Sequence, residues 1–315
     1  MTGPVVVQQI SESFGEALRA HASNPQVIDH LDRDRPWDFP QEAEALVTYP
    51  YPSWLSEAGR VPQPRPGLKW VQLFSAGVER FPEWLLDGRM VGCGRGQTSP
   101  QIAEFVLAAM LNREKRLNEI SARSLTEWVR PEMGTLVGKT LGLIGYGSIA
   151  AEIARRALAF DMQIVACRNS PWAEVPEGLT PLAGPAEVLA QSNHAAICVP
   201  LTDETRGMVD DALLAQAKPG LHLINIARGA ILDQDALLRA IAAGRIAHAT
   251  LDVTFPEPLP ETHPLWQVPE VHLTPHVSFL GGDHLARFLE KTLANLTTYA
   301  QGAPLRDLFD RERGY

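Results

Sequence analysis

Three ionisable residues stand where they could do acid–base chemistry on a small anion. Arg228 lies in Asn225-Ile226-Ala227-Arg228-Gly229, just past an apolar run. A guanidinium there could grip a carboxylate through two hydrogen bonds and polarise an adjacent carbonyl. A solvated loop arginine would read the same way. Glu257 lies in Asp252-Val253-Thr254-Phe255-Pro256-Glu257-Pro258-Leu259-Pro260, whose three prolines stiffen the loop and would fix the carboxylate's position. A surface glutamate on a rigid turn fits the same pattern. His276 lies in Leu273-Thr274-Pro275-His276-Val277-Ser278, and histidine can donate and recover a proton near neutral pH. The chain has nine histidines, so this one alone does not identify a site.

A second kind of chemistry is written in Thr140-Leu141-Gly142-Leu143-Ile144-Gly145-Tyr146-Gly147-Ser148-Ile149-Ala150. Leu141 to Ile144 reads as a buried strand. The spacing of Ile149, Ile153, Ala157 and Phe160 predicts one face of a helix. Strand, glycine turn and helix in that order make a phosphate cradle. Gly145 permits the tight turn, Gly147 lets the backbone approach a pyrophosphate at the helix N-terminus, and Ala150 allows close packing of helix on strand. A plain strand–turn–helix is the alternative, but the flanking context is the one a dinucleotide site requires. Ser75, Ala76 and Gly77 follow a predicted strand over 69–74. Small residues there would leave backbone N–H groups open to an anion, although a simple turn has the same composition.

The elements that must position these groups repeat regularly after residue 160. Strand-like runs at 163–167, 195–199, 221–226, 248–252 and 271–273 alternate with helical segments at 185–191, 210–217 and 233–243. Alternation of this kind predicts a parallel, doubly wound α/β sheet with ligands beyond the carboxyl ends of its strands. Upstream, strands are predicted at 5–10, 26–29 and 45–49, with helices at 13–22 and around 53–58. A long helix starts near Pro100, with Ile102, Phe105, Val106, Ala109 and Met110 on its apolar face. A last helix is predicted at 283–300.

Bulk properties narrow the function classes. The 315 residues suffice for two domains. A net charge of −9 and a pI near 5.5 leave no chain-wide basic surface for nucleic acid. Cys93, Cys167 and Cys198 are far apart, without metal-ligand spacing, and fit a reducing cytoplasm rather than a disulfide framework. The N-terminus lacks the pattern of a signal peptide, and no apolar run is long enough to span a membrane.

Taken together and in order, these stretches resemble the D-isomer-specific 2-hydroxyacid dehydrogenase family, which includes glyoxylate/hydroxypyruvate reductases. The similarity runs from about Lys69 to Leu305. It is carried by residues 75–79, 102–104, 142–149, 200–205, 225–229, 251–253 with 256–259, and 274–276. The resemblance implies a Rossmann-type domain over 100–278 and a smaller, flavodoxin-like substrate domain over 1–99 and 279–315, with hinges near Pro100 and Ser278. It implies that Arg228 binds the substrate's carboxylate and keto oxygen, that His276 is the acid/base, and that Glu257 orients it. It places the backbone of Ser75, Ala76 and Gly77 on the substrate carboxylate. Cofactor contacts are implied for Gly145, Tyr146, Gly147, Ser148, Ile149, Pro200, Thr205, Ala227, Arg228, Asp252 and His276. The expected reaction is hydride transfer between NAD(P)H and a 2-keto acid to give a D-2-hydroxy acid, in a homodimer. A cofactor-sensing, corepressor-like binding protein of the same fold is the alternative.

The chain departs from the family pattern at three places. Asn193 stands where aspartate is frequent, and His248 where glycine is common. Arg168 stands where an acidic residue would bind the ribose hydroxyls of NAD, followed by Asn169 and Ser170. Arginine can pair with a 2′-phosphate and the two polar residues can donate further hydrogen bonds, which predicts a preference for NADP(H) with NAD(H) possible.

Overall fold

Short apolar runs, each ended by a capping or turn residue, set the order of elements in the first 98 residues. The structure, a computed structural model, describes residues 3–117 and 119–315. Its contacts divide the chain into two units, 1–98 with 281–315, and 99–280. In the first unit, β1 (Val5–Gln8) leads to α1 (Glu12–Arg19), β2 (Gln26–Asp29) and β3 (Ala45–Thr48), then α2 (Glu57–Arg60), β4 (Trp70–Leu73), α3 (Glu83–Leu86) and β5 (Met90–Gly92). Ser11 starts α1 by accepting a hydrogen bond from the Phe14 N–H. Phe14 and Leu18 then face inward. The strands lie in the order β2-β1-β3-β4-β5, all parallel, which is the flavodoxin-like order. β3 and β4 are buried throughout, as central strands covered on both faces must be.

The second unit begins with α4 (Ser99–Lys115). It continues through β6 (Thr140–Ile144), α5 (Ser148–Leu158), β7 (Gln163–Cys167), β8 (Leu179–Pro181), α6 (Pro185–Gln191), β9 (His194–Ile197), α7 (Asp211–Leu214), β10 (Leu221–Asn225), α8 (Gln234–Ala242), β11 (Ile246–Leu251) and β12 (Val271–Leu273). The strand order is β12-β11-β10-β9-β6-β7-β8, all parallel. This is the dinucleotide-binding order with one further strand at the β12 edge. Leu141 and Leu143 of β6 pack with Ile102, Val106 and Met110 of α4 on one face, while Ile144 packs with Val188 and Leu189 of α6 on the other. Each such leucine stabilises the fold by about 2–5 kcal/mol relative to alanine. The final helix, α9 (His284–Ala300), belongs to the first unit, where Phe288 packs on Phe14 and Phe74 and Asn295 donates to Gln72.

Several expectations need correction. The helix expected around 53–58 is a 3-10 turn at Pro52–Leu55 followed by the single turn α2. Phe160 does not share the buried face of α5. The helix stops at Leu158 and Phe160 is 39% exposed, because the chain turns sharply through Asp161 at φ +57° and returns into β7. Two three-residue strands, β5 and β8, carry no pattern of their own and exist through pairing with β4 and β7. No helix among the described residues is long and apolar enough to cross a membrane.

At the amino ends of the second sheet, three neighbouring strands bring histidines together. Register places His194 of β9 opposite His222 of β10, and His222 opposite His248 of β11. His194 Nδ1 lies 3.1 Å from His222 Nδ1, and His222 Nε2 lies 2.9 Å from Thr250 Oγ1. His194 Nε2 is 3.2 Å from Glu114 Oε1, close but poorly aligned as a hydrogen bond. Lys139 pairs with the same oxygen.

Candidate active site

The carboxyl ends of three adjacent strands, β10, β11 and β12, carry Arg228, Asp252 with Glu257, and His276. After β10 the chain must leave the sheet, and Asn225 brackets that exit. Its Oδ1 accepts from Ala227 N at 3.1 Å and its Nδ2 donates to Arg228 O at 3.1 Å. Arg228 is extended and half-buried, and its Nη1 donates to Ala227 O at 2.7 Å. Gly229 must be glycine, since a Cβ there would come within 2.0 Å of the Thr254 backbone.

The loop after β11 is pinned from α8. Gln234 Nε2 donates to Phe255 O at 2.8 Å, and Phe255 N donates to Gln234 Oε1 at 3.0 Å. Thr254 Oγ1 closes on Pro256 O at 3.0 Å. These bonds place Glu257 so that its Oε1 lies 2.8 Å from His276 Nδ1.

Asp252 holds the segment that bears His276. It is 1% exposed. Its Oδ1 accepts from Thr274 Oγ1 at 2.6 Å and Val277 N at 2.8 Å, its Oδ2 from Ser278 N at 3.0 Å, and its carbonyl from His276 N at 2.9 Å. His276 has φ +54°, a left-handed conformation uncommon for a non-glycine residue, and these bonds over-determine it. Phe279 meets the imidazole edge-on, with centroids 5.8 Å apart. A carboxylate only accepts, so the bond to Glu257 sets the proton of a neutral His276 on Nδ1. Nε2 is then the nitrogen that exchanges a proton with a bound molecule.

The glycine loop follows β6, where strand order reverses between β9 and β7. Gly145 has φ +92°, and a Cβ there would come within 2.7–2.9 Å of Val199 and Cys198. Gly147 precedes α5, and a Cβ there would meet no heavy atom within 4 Å. The helix end is therefore open to close backbone approach by a pyrophosphate, and the residues present fit a dinucleotide. Ser148 Oγ accepts from Ser99 Oγ at 3.0 Å. Burial pushes the flanking thiols up, Cys198 to about 12 and Cys167 more modestly, so neither is a thiolate at neutral pH. Tyr146 stays a neutral phenol, its ionisation disfavoured by burial.

The remaining expected residues fall in three places. Arg168 and Ser170 follow β7 and bond to each other, Nε and Nη2 of the arginine donating to Ser170 Oγ at 3.0 and 2.6 Å. Asn169 between them is exposed. Pro200 and Thr205 close the loop after β9, with Thr205 Oγ1 donating to Pro200 O at 2.7 Å. Ser75, Ala76 and Gly77 lie in the first unit after β4, where Ser75 Oγ donates to Gly77 O at 2.6 Å. Sequence reasoning misses Asn225, Gln234 and Thr274. Each bonds a loop distant from it or bends its own, and no spacing rule marks such partners in advance.

Comparison with known proteins agrees with this geometry. Residues 107–278, more than half of the chain, match the D-isomer specific 2-hydroxyacid dehydrogenase, NAD binding domain, family. The chain is 31% identical over 297 residues to glyoxylate/hydroxypyruvate reductase A of Serratia proteamaculans (strain 568), covering 90% of this chain and 89% of that one. It is 32% identical to glyoxylate reductase of Thermofilum pendens (strain DSM 2475 / Hrk 5) over 78% of this chain and 76% of that one. The D-isomer specific 2-hydroxyacid dehydrogenase of Xanthobacter autotrophicus Py2, solved in complex with NADPH and MES, superposes with a TM-score of 0.82 over 100% of both chains at 26% identity. A phosphate cradle at the sheet's switch point, an Nδ1-anchored histidine beyond its last strand and these likenesses converge: the chain belongs to the D-isomer-specific 2-hydroxyacid dehydrogenase family.

Proposed function

We propose that this chain reduces a small 2-keto acid, of the glyoxylate and hydroxypyruvate class, to a D-2-hydroxy acid with NADPH as the preferred cofactor. The observation that carries the reading is the 2.8 Å bond between His276 Nδ1 and Glu257, which turns Nε2 into the proton-exchanging atom. A nicotinamide cofactor held at Gly145 to Ile149 supplies the hydride when bound. Arg228 grips the substrate carboxylate and draws electron density from the keto group. The backbone N–H groups of Ser75, Ala76 and Gly77, in the unit we read as the substrate domain, are of the kind that suits a carboxylate. Protonated His276 and Arg228 stabilise the charge that develops on the keto oxygen, and Nε2 delivers the proton. Glu257 stabilises the imidazolium, and Asp252 keeps the ring in place. Oxidation of the hydroxy acid runs the same path backwards, with neutral His276 as base.

The substrate class is supported by the Serratia relative's name. Assays with glyoxylate, hydroxypyruvate and a bulky 2-keto acid test it, with faster turnover expected for the two small acids. Tight cofactor binding with turnover of none of the three would instead favour a cofactor-sensing protein.

Arg168 and Ser170 support the NADPH preference. A cation with a neighbouring hydroxyl suits a dianionic 2′-phosphate, and the Xanthobacter structure contains NADPH. We expect kcat/KM to be higher with NADPH than with NADH. Arg168→Ala should erode that advantage mainly through KM for NADPH. Equal efficiency of wild-type protein with the two cofactors would refute the preference.

The reading includes a homodimer in the cytoplasm. In the irregular segment after α4, Leu117, Ile120, Leu125, Trp128, Val129, Met133 and Val137 are all more than a third exposed, with Leu125 at 93%. So many large apolar side chains in one segment are the mark of a surface that a second chain covers. Light scattering should give twice the 34.5 kDa chain mass, and Trp128→Glu with Leu125→Glu should shift it toward that of the monomer. A monomeric wild type would exclude the dimer. Three free cysteines and the acidic net charge fit a reducing compartment and the absence of a nucleic-acid partner.

A further inference from the structure

The segment after β7 reads Arg168-Asn169-Ser170-Pro171-Trp172. Pro171 restricts the backbone where the chain turns, and the indole of Trp172 comes back beneath the arginine four residues earlier. The guanidinium carbon lies 5.3 Å from the Trp172 ring centroid, within the range of a cation–π contact. Nε and Nη2 of the same guanidinium are bonded to Ser170 Oγ. The cation is thus held on its face by an indole and along one edge by a hydroxyl. Of its five N–H groups, both on Nη1 and one on Nη2 point away from that hydroxyl.

Trp172 is itself anchored. It is only partly exposed, and it packs against the apolar cluster that α4, α5 and β6 share. Its ring centroid lies 5.1 Å from that of Tyr146, inside the glycine loop. One indole therefore joins the pyrophosphate cradle to the arginine at the end of the neighbouring strand. An exposed arginine without such a platform samples many rotamers and must be ordered each time an anion binds, and preorganisation removes part of that cost.

We propose that Trp172 is the positioning residue for cofactor discrimination: it holds the Arg168 guanidinium in place for a 2′-phosphate and so helps set selectivity for NADP(H) over NAD(H). The inference rests on the reading that Arg168 meets that phosphate. Its effect should fall on ligands that carry a 2′-phosphate and spare those that lack it.

Calorimetric titration of the full-length protein with adenosine 2′,5′-bisphosphate and with 5′-AMP isolates the 2′-phosphate without any turnover. Wild type should prefer the bisphosphate. Trp172→Ala should weaken bisphosphate binding about 3- to 30-fold, the range of a cation–π contact, and change 5′-AMP binding far less. Trp172→Phe should restore most of the preference because it restores a π-face. Trp172→Leu, which keeps apolar bulk without a π-face, should behave like alanine and serves if the alanine variant folds poorly. Equal weakening of both ligands would mean a purely structural role and would overturn the proposal. So would unchanged discrimination in Trp172→Ala while Arg168→Ala abolishes it, which leaves the reading of Arg168 intact. A wild type without preference for the bisphosphate would remove that reading and the proposal together.

Discussion

Replacing His276 with alanine is expected to lower kcat for 2-keto acid reduction on the order of 10²–10⁴-fold, the usual contribution of a general acid, with cofactor affinity largely kept. The size of the effect follows from the geometry. Nδ1 is committed to Glu257 at 2.8 Å, so Nε2 is the one ring nitrogen left for the keto oxygen. The ring is carried on a left-handed residue that Asp252 clamps through the neighbouring N–H groups, so the loop fixes where that nitrogen sits. Glu257→Gln should cost less than the histidine variant, because an amide can still orient the ring but cannot offset the imidazolium charge. The double variant Glu257→Gln/His276→Ala should be scarcely slower than His276→Ala, since the two residues act as one unit. Arg228→Ala should damage kcat and KM together, as a group that binds both ground state and transition state does. Near wild-type turnover in His276→Ala would show that another group delivers the proton.

Stability is expected to fall as pH drops from about 6.5 towards 4, and the buried histidines of the second unit are the reason. His194 is 1% exposed and its pKa is pushed down to about 4 by burial, against the pull of Glu114. His222 is held well below the ordinary value by burial and by its neighbours His194, His248, Arg113 and His272. His248 is lowered to about 4 by burial and Arg113, opposed weakly by Glu270 and Glu119. An unfolded histidine titrates near 6.5. Between pH 6.5 and 4 the unfolded chain therefore binds more protons than the folded one, so stability rises with pH across that window and is fully present above it. For His194 alone the loss between pH 7.5 and pH 5 is about 2 kcal/mol, with His222 and His248 adding to it. The neutral row also has a consistent set of hydrogen bonds. Contact with Glu114 favours the His194 proton on Nε2, leaving Nδ1 to accept from His222 Nδ1–H, and His222 Nε2 to accept from Thr250 Oγ1–H. Urea unfolding at pH 7.5 and pH 5 measures the loss, and His194→Gln, which keeps polar atoms but cannot titrate, should reduce the pH dependence. A pH dependence identical in wild type and His194→Gln would show that other groups set it.

Much of the site is legible in the amino-acid sequence alone. The glycine loop announces itself because a phosphate cradle needs its parts contiguous: strand, turn, small residues and helix lie within eleven consecutive positions. Arg228, Glu257 and His276 stand out because each follows an apolar run, and a parallel sheet puts all such positions at one edge. The long helix at Ser99–Lys115 and the strand at Gln163–Cys167 are plain from their periodicity or apolar run. The short edge strands β5 and β8 are not, since Met90–Gly92 and Leu179–Pro181 run into glycine and proline and it is pairing with a neighbour that makes them strands. Phe160 misleads for a related reason: helical spacing continues on paper past the point where the chain actually turns.

What the sequence by itself determined, then, is everything encoded locally: the alternation of strand and helix, the phosphate turn, and the ionisable residues at strand ends. Tertiary structure decided what depends on register between segments far apart in the chain. His194, His222 and His248 are separated by more than twenty residues each, and as isolated letters they say nothing. Only the parallel pairing of β9, β10 and β11 sets them side by side, where burial strips the water from His194 and His222, and His248 sits half-buried beside them. The bond from Glu257 to His276 is of the same kind. Two loops from neighbouring strands meet because Asp252 and Gln234 bend them toward each other, and no linear spacing contains that meeting.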